Sequence, residues 1–395
     1  MSQATEPAMN LQEGRFARFE AIKWWRQDRL RQSRVLVIGA GALGNEVIKN
    51  LALLGVGNLV IADMDRIEKS NLSRSVLFRQ SDEGAFKATA AATAAADLYP
   101  ELNVMPLVVN VLAQLGLGYF RWAEVVVGAL DNREARVFVN SSCAQVGRPW
   151  IDGGIEVLNG IVRGFSPPES ACYECTMGQK DWDILAKRRS CALLARQAFA
   201  EGGAPTTPTT ASIIGAIQAQ EVVKRLHGLE SLNGSGYVFE GLYHNSYPVK
   251  YPISPECPWH GPATGVEAFG DLGSDTPLKQ IWRRGEERLP GMVALDLSRE
   301  ILAGLECPAC HRQRAIHKPI ELVKAESVAC PECKVDSTPD FCHSIAAGSP
   351  LLEMTPRQMG LPAWDILWAR NAETALGLEL AKDKPAKLAP SRVET

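Results

Sequence analysis

Apolar and polar positions follow two alternating periods along the first 260 or so residues. Val35-Leu36-Val37-Ile38 is a short, β-branched apolar run, and apolar positions then recur at helical spacing from Asn45 to Leu54. Gly55 and Gly57 stop that helix, and Leu59-Val60-Ile61-Ala62 reads as a second strand. The pattern recurs: an Ala-rich helix over 85–98, a strand near 104–109, a buried strand over 125–128, a helix over 133–146 and a strand around 150–152. Strands alternating with helices predict α/β architecture, a Rossmann-like doubly wound parallel sheet. The Pro- and Thr-rich stretch 204–210 predicts an extended crossing segment, and helical spacing returns over 211–226.

Beyond Gly261 the chain turns charged and Gly/Pro-punctuated, which puts a domain boundary near 262. The expected organisation is an N-terminal helical arm (1–32), a large α/β domain (33–262), a small C-terminal domain built around cysteines (263–381) and a disordered tail (382–395). A length of 395 residues suits one large and one small domain. The net charge of −3 argues against nucleic acid or an anionic membrane as partner. The N-terminus has no apolar core of signal-peptide length, and the run from Val35 to Ala62 is broken by Asn45, Glu46 and Lys49. These features predict a soluble, cytoplasmic protein.

Ten cysteines are too few for a disulfide scaffold and suit a reducing compartment. Their spacing says more. Cys307-Pro-Ala-Cys310 and Cys330-Pro-Glu-Cys333 form the C-x₂-C…C-x₂-C pattern of a zinc ribbon, with Pro after the first Cys of each pair to make the knuckle turn. Zinc ribbons usually mediate contacts, so this module reads as a docking platform. Cys172-Tyr-Glu-Cys175 and Cys257-Pro-Trp-His260 are a pair and a half-pair on either side of the crossing segment. They could also be two unrelated buried groups.

Gly39-Ala40-Gly41-Ala42-Leu43-Gly44 lies between a strand and a helix, with Asp63 after the next strand. The glycines allow a tight turn and close backbone approach, the helix N-terminus offers free N–H groups to phosphate, and Asp63 can accept from a ribose hydroxyl. Read alone, this motif points first to an NAD-dependent oxidoreductase, with a turn without ligand as the lesser alternative. The following stretch carries Asp63, Asp65, Asn71 and Arg74, then Lys87, then Asp131-Asn132. Hydride transfer needs no such set of cationic side chains and carboxylates. Lys87 also fits a solvated helix lysine, and Asp131 an N-cap.

In this ordered set the chain resembles the E1-like family, the ubiquitin-activating enzymes with the thiamine and molybdopterin sulfur-carrier adenylyltransferases, over about residues 15–261. The resemblance implies that Gly39, Gly41 and Gly44 form the ATP loop and Asp63 holds the ribose. Asn71 and Arg74 would bind the triphosphate, Lys87 a phosphate, and Asp131, followed by Asn132, Mg²⁺. Arg15-Phe16-Ala17-Arg18 is similar to the family's opening, in which the second arginine, here Arg18, reaches the γ-phosphate from the partner subunit of a homodimer. The family commonly has Gln where this chain has Ser75. Cys172, Cys175, Cys257 and His260 would share one structural Zn²⁺, a Cys₃His set, making two zinc sites with the ribbon.

Cys191 follows Lys187-Arg188-Arg189, cations that would favour a thiolate if they face it, and it also fits an incidental helix cysteine. E1-like enzymes that conjugate ubiquitin-like proteins place their thioester cysteine in this interval. The resemblance therefore implies adenylation of the C-terminal carboxylate of a ubiquitin-like protein, a thioester on Cys191 and transfer to an E2-like partner. The whole set is similar to compact activating enzymes of bacterial conjugation systems, some of which serve phage defence. Three alternatives stay open: a sulfur-carrier adenylyltransferase without E2 transfer, an NAD-dependent oxidoreductase and a catalytically dead zinc-bearing adaptor. Cys143, in an apolar helix, reads as buried and inert, and Cys342 as an unassigned thiol.

Overall fold

The structure, a computed structural model, describes residues 14–190, 205–261 and 264–388, the side chains of 185–190 and 325 excepted. Two short helices, α1 (Ala17–Glu20) and α2 (Gln27–Gln32), precede β1 (Arg34–Ile38), α3 (Ala42–Leu53) and β2 (Asn58–Ala62). Then come α4 (Lys87–Leu98), β3 (Asn103–Leu107), α5 (Val111–Gln114), α6 (Leu117–Trp122), β4 (Val125–Gly128), α7 (Arg133–Gln145), β5 (Trp150–Glu156) and β6 (Asn159–Phe165). The first domain closes with α8 (Gln179–Ser190), α9 (Pro208–Leu226), β7 (Ser235–Glu240) and β8 (Asn245–Lys250).

Its eight strands lie in the order β3-β2-β1-β4-β5-β6-β7-β8. The first five are parallel, with Val37 facing Ile61 on one side and Val127 on the other, and β6 to β8 add an antiparallel extension. Side chains along β1 alternate between the sheet's faces. Val35 and Val37 enter a core with α3, α4 and α9, through Val47, Ala91 and Ile214. Leu36 and Ile38 enter a second core with Phe120, Val139 and Cys143. The winding runs outward from β1 to β3 and then returns to set β4 on the other side of β1. Ligands of such sheets settle at that reversal, outside the carboxyl ends of the strands.

The second domain carries β9 (Gly265–Phe269), α10 (Leu278–Arg288), β10 (Ala294–Glu306), β11 (Gln313–Pro319), β12 (Thr338–Ala346), β13 (Ile366–Arg370) and β14 (Ala375–Leu380). The order is β11-β10-β13-β14-β9, and β12 also pairs with β10. Ile281 and Trp282 of α10 pack on Leu295, Leu367 and Leu378 of this sheet.

The two domains are joined by more than a linker. Trp364, Ile366, Trp368 and Leu388 complete the second core of the first domain. Gly118 is glycine because a Cβ there would lie 2.5 Å from the Trp364 ring, and its N–H donates to the Trp364 carbonyl at 2.9 Å. Buried Arg299 donates to the carbonyls of Leu112 and Leu115, and the carboxylate of buried Asp365 accepts from the Leu117 N–H at 3.0 Å. The ribbon is thus one end of a sheet seated firmly on the first domain.

Two boundaries differ from the sequence reading. The crossing segment does not stay extended to 210, because Thr207 caps α9 and Pro208 occupies its first turn, where a missing N–H costs nothing. The chain beyond Lys382 is not a disordered tail up to residue 388. Lys387 Nζ donates to the Val104 carbonyl at 2.7 Å, the Ser274 N–H donates to the Asp383 carboxylate at 2.6 Å, and Leu388 is buried. Composition reveals neither the partner groups nor the apolar niche that hold this segment. Among the described residues no helix is long and apolar enough to cross a membrane.

Candidate nucleotide and metal sites

The glycine loop leaves β1 at the reversal point. Gly39 has φ +96°, and a Cβ there would overlap the Ala129 carbonyl, while a Cβ on Gly44 would overlap the carbonyl of Gly39. Both glycines are needed for the turn itself. Gly41 differs, since its Cβ direction meets open space and it caps α3 without a side-chain hydrogen bond. The first turn of α3 therefore presents N–H groups and a positive dipole end, which suits a phosphate.

Asp63, at the end of β2, ties the loop to its neighbours. One carboxylate oxygen accepts from the Ala40 N–H at 2.7 Å and the other from the Asp65 N–H at 2.8 Å. Burial raises the pKa of Asp63, while those two N–H groups and Lys87 pull it back. Lys87 opens α4, where its Nζ lies 2.8 Å from Asp65 Oδ2 and its N–H donates to the Asp65 carbonyl at 2.8 Å. Next to them Arg66 pairs with Phe86, its guanidinium carbon 3.8 Å from the ring centroid. The structure thus brings the glycine loop, Asp63 and Lys87 into one linked group.

Asn71 and Arg74 lie in and after a 3₁₀ turn over Lys69–Ser73. Asn71 Oδ1 accepts from the Glu68 N–H at 3.0 Å, and Arg74 donates to the Ser70 carbonyl at 3.0 Å. Ser75, in the place of the family's usual Gln, is buried. The tie between this segment and the glycine loop is Asn45, fully buried on α3. Its amide donates to the carbonyls of Ala40 and Gly41, and its oxygen accepts from the Leu77 N–H. Sequence reading gives Asn45 no role beyond opening a helical stretch and breaking an apolar run. Its signal is a polar residue on the buried face one turn after Gly41.

Asp131 and Asn132 follow β4. The cap of α7 is Asn132, whose oxygen accepts from the Ala135 N–H at 2.8 Å, so Asp131 is not needed for that role. The exposed Asp131 carboxylate accepts from Asn132 Nδ2 at 3.1 Å and remains open to a cation. Arg136, one turn on, donates to the carbonyls of Leu130 and Gly153 and to Asp152, which is fully buried and also paired with Arg163. Gln218 of α9 donates to the Gly128 carbonyl at 2.9 Å. Sequence reading singled out none of Arg136, Asp152 and Gln218.

Arg18 is exposed, and among the described residues no hydrogen bond or ion pair joins it to this group within one chain. The arm packs through Phe16 edge-on to Tyr99, with ring centroids 5.7 Å apart, and through Arg15, which donates to the Leu98 carbonyl. Both anchors lie at the C-terminal end of α4 and Lys87 at its start, about 16 Å away by helical rise. Cys191 lies outside the described residues, as do the side chains of Lys187, Arg188 and Arg189.

Both cysteine sets converge. The ligand atoms of Cys172, Cys175, Cys257 and His260 lie within 4.8 Å of one another, as do those of Cys307, Cys310, Cys330 and Cys333. The Cys172–Cys175 and Cys310–Cys330 sulfur separations are 3.8 Å, the edge of a tetrahedron with about 2.3 Å zinc–sulfur bonds. His260 Nδ1 faces the Pro168 carbonyl at 3.2 Å, which leaves Nε2, 3.1 Å from the Cys175 sulfur, for a metal. The ribbon knuckles match each other: His311 and Lys334 both adopt left-handed backbone, and their N–H groups donate to the carbonyls of Cys307 and Cys330. The N–H groups of Cys333 and Glu332 lower the Cys330 thiol to about 6. Cys143 is fully buried, which raises its pKa far above the usual thiol range, and burial also raises Cys342, whose thiol donates to the Ser344 carbonyl at 3.5 Å.

A family model described as the ThiF family matches residues 14–258. The SAMP-activating enzyme E1 of Haloferax volcanii is 33 % identical over 254 residues, 62 % of this chain and 86 % of that protein. A sulfur carrier protein adenylyltransferase of Thermus thermophilus is 31 % identical over 59 % of this chain and 83 % of its own length. The ubiquitin-activating enzyme E1 2 of Arabidopsis thaliana is 45 % identical over 46 % of this chain, but only 18 % of that longer protein is covered. A crystal structure of E. coli MccB with ATP superimposes with a TM-score of 0.52 at 21 % identity, covering 64 % of this chain and 76 % of that one, which is a likeness of fold. The chain belongs to the ThiF family, the E1-like ATP-dependent adenylyltransferases.

Proposed function

We propose that this enzyme adenylates the C-terminal carboxylate of a ubiquitin-like protein and then carries it as a thioester on Cys191 for an E2-like partner. The observation that supports adenylation best is the linked group at the reversal point, in which Asp63 joins the glycine loop to the Asp65–Lys87 pair beside the Asp131 loop. ATP would lie with its phosphates over the first turn of α3 and its ribose on Asp63. Arg74 and Lys87 would face the phosphates, and Asn71 would steady them. Asp131 would hold Mg²⁺, which offsets charge on the α-phosphate when bound. The carrier's carboxylate oxygen attacks the α-phosphorus, the bond to the β-phosphate oxygen breaks, and pyrophosphate leaves. The Cys191 thiolate then attacks the acyl carbon and AMP departs.

The anchoring of the arm far from Lys87 supports a homodimer in which each Arg18 serves the other subunit's site. The two cysteine clusters would each hold a structural Zn²⁺ that takes no part in the chemistry. The identity with the Thermus sulfur carrier protein adenylyltransferase favours a second reading, in which the reaction ends at the adenylate or passes to a sulfur donor. One experiment separates the two. The enzyme is incubated with a candidate ubiquitin-like protein and MgATP, assayed for ATP–pyrophosphate exchange, and run on gels with and without reductant. Exchange with a reductant-sensitive band supports the thioester route, exchange alone supports the sulfur-carrier route, and neither with any carrier rejects both.

A further inference from the structure

Helix α7 has the Asp131 loop at one end and a zinc ligand against its middle. Asn132, Arg136 and Asn140 are four residues apart and share one face. Asn132 caps the helix and holds Asp131, and Arg136 holds the Leu130 carbonyl just before Asp131. Asn140, fully buried, donates to the Cys172 sulfur at 3.4 Å and to Glu174 at 3.3 Å, and its oxygen accepts from the Tyr173 N–H at 2.9 Å.

A second path runs beside the helix. Tyr173, next to the ligand Cys172, lies under the Arg163 guanidinium, whose central carbon is 4.8 Å from the ring centroid. Arg163 and Arg136 share the two oxygens of buried Asp152. Both paths start at residues 172–173 and end at residues 130–132. A buried amide given to a thiolate is satisfied only while that sulfur stays in place.

We propose that Asn140 is a positioning residue that couples the Cys172–Cys175–Cys257–His260 cluster to the Asp131 loop. Metal held by the cluster fixes residues 172–174, these fix α7 through Asn140, and α7 presents Asp131 to the nucleotide. The inference rests on the reading of Asp131 as part of an ATP site. Coupling between two sites is reciprocal, so bound nucleotide should retain the metal by the factor with which the metal strengthens nucleotide binding.

The test uses the full chain carrying Cys310→Ser, an exposed ribbon ligand, so that one zinc remains. Zinc release to a chromogenic chelator is followed with and without saturating MgATP, and MgATP affinity is measured by calorimetry on the same protein. Release should slow about fivefold or more with MgATP. With Asn140→Leu added, release should be faster and the slowing by MgATP should fall to about twofold or less, the part carried by the Arg163–Asp152–Arg136 path. A purely structural role for Asn140 would speed release and leave the nucleotide effect intact, and that result overturns the proposal. MgATP that binds without slowing release in the Asn140 protein also overturns it, while the ATP-site reading survives. A protein that retains zinc but binds no MgATP overturns both.

Discussion

Lys87 Nζ and Asp65 Oδ2 are 2.8 Å apart, and the same two residues are also joined through their backbones. Lys87 is largely covered and Asp65 about half exposed, so the pair itself adds little to stability. Asp65→Asn should cost about 1 kcal/mol or less in denaturant unfolding. Lys87→Met should fold equally well and lose about a hundredfold or more in ATP–pyrophosphate exchange, the scale of removing one preorganised donor to developing charge. Full exchange in Lys87→Met would remove this lysine from the phosphate site.

Asp131→Ala and Arg18→Ala should each be inactive in exchange while folding normally. Random reassortment of the two into mixed dimers restores one good site in half of the dimers, or about a quarter of wild-type activity. Mixing without recovery would place Arg18 outside the partner's site.

Metal analysis should find two zinc ions per chain, and Cys310→Ser should leave one with exchange intact. A single zinc in the wild type would mean that one of the two cysteine sets is not a metal site.

Asp63 accepts from Ala40 and Asp65 and has a pKa above the usual aspartate value, chiefly through burial. ATP affinity should therefore decline as pH falls through that raised value, since a protonated Asp63 is a poorer acceptor for ribose. The effect on the fold has the opposite sign. A carboxyl with a raised folded pKa binds protons more tightly in the folded state, so its protonation favours folding, and lost affinity here is not denaturation. Titration of ATP binding against pH should flatten in Asp63→Asn.

The buried Trp364 ring packs on Gly118, so Trp364→Ala should cost about 3–5 kcal/mol in thermal or chemical unfolding. Unfolding with only a small loss would mean that the domains are held by their polar contacts alone.

The alternating apolar runs made the parallel core legible, because β1, β2 and β4 are buried on both faces and read as continuous hydrophobic strands. The antiparallel extension was not legible. β7 and β8 are largely half-exposed or exposed, so their apolar pattern is faint. Cysteine spacing pointed to the ribbon cluster, since a metal knuckle is a local motif, whereas the joining of Cys172 and Cys175 to Cys257 and His260 was legible only through the family resemblance; the fold brings both sets together. Asn45, Arg136 and Asn140 were missed for the opposite reason. Each earns its place through partners 32 or so residues away, or through carbonyls, and neither leaves a mark in sequence spacing.

Trp364, Trp368 and Leu388 all come from the last 40 or so residues, yet they lie in the core shared with Leu36, Val60 and Phe120. A chain cut after Gly261 would thus not be a shorter enzyme. It would bare the α6 face of the first domain to water, and such a fragment should clump rather than stay monodisperse. A partner that gripped the ribbon would also hold the whole molecule at a set orientation, as a handle welded to a tool does.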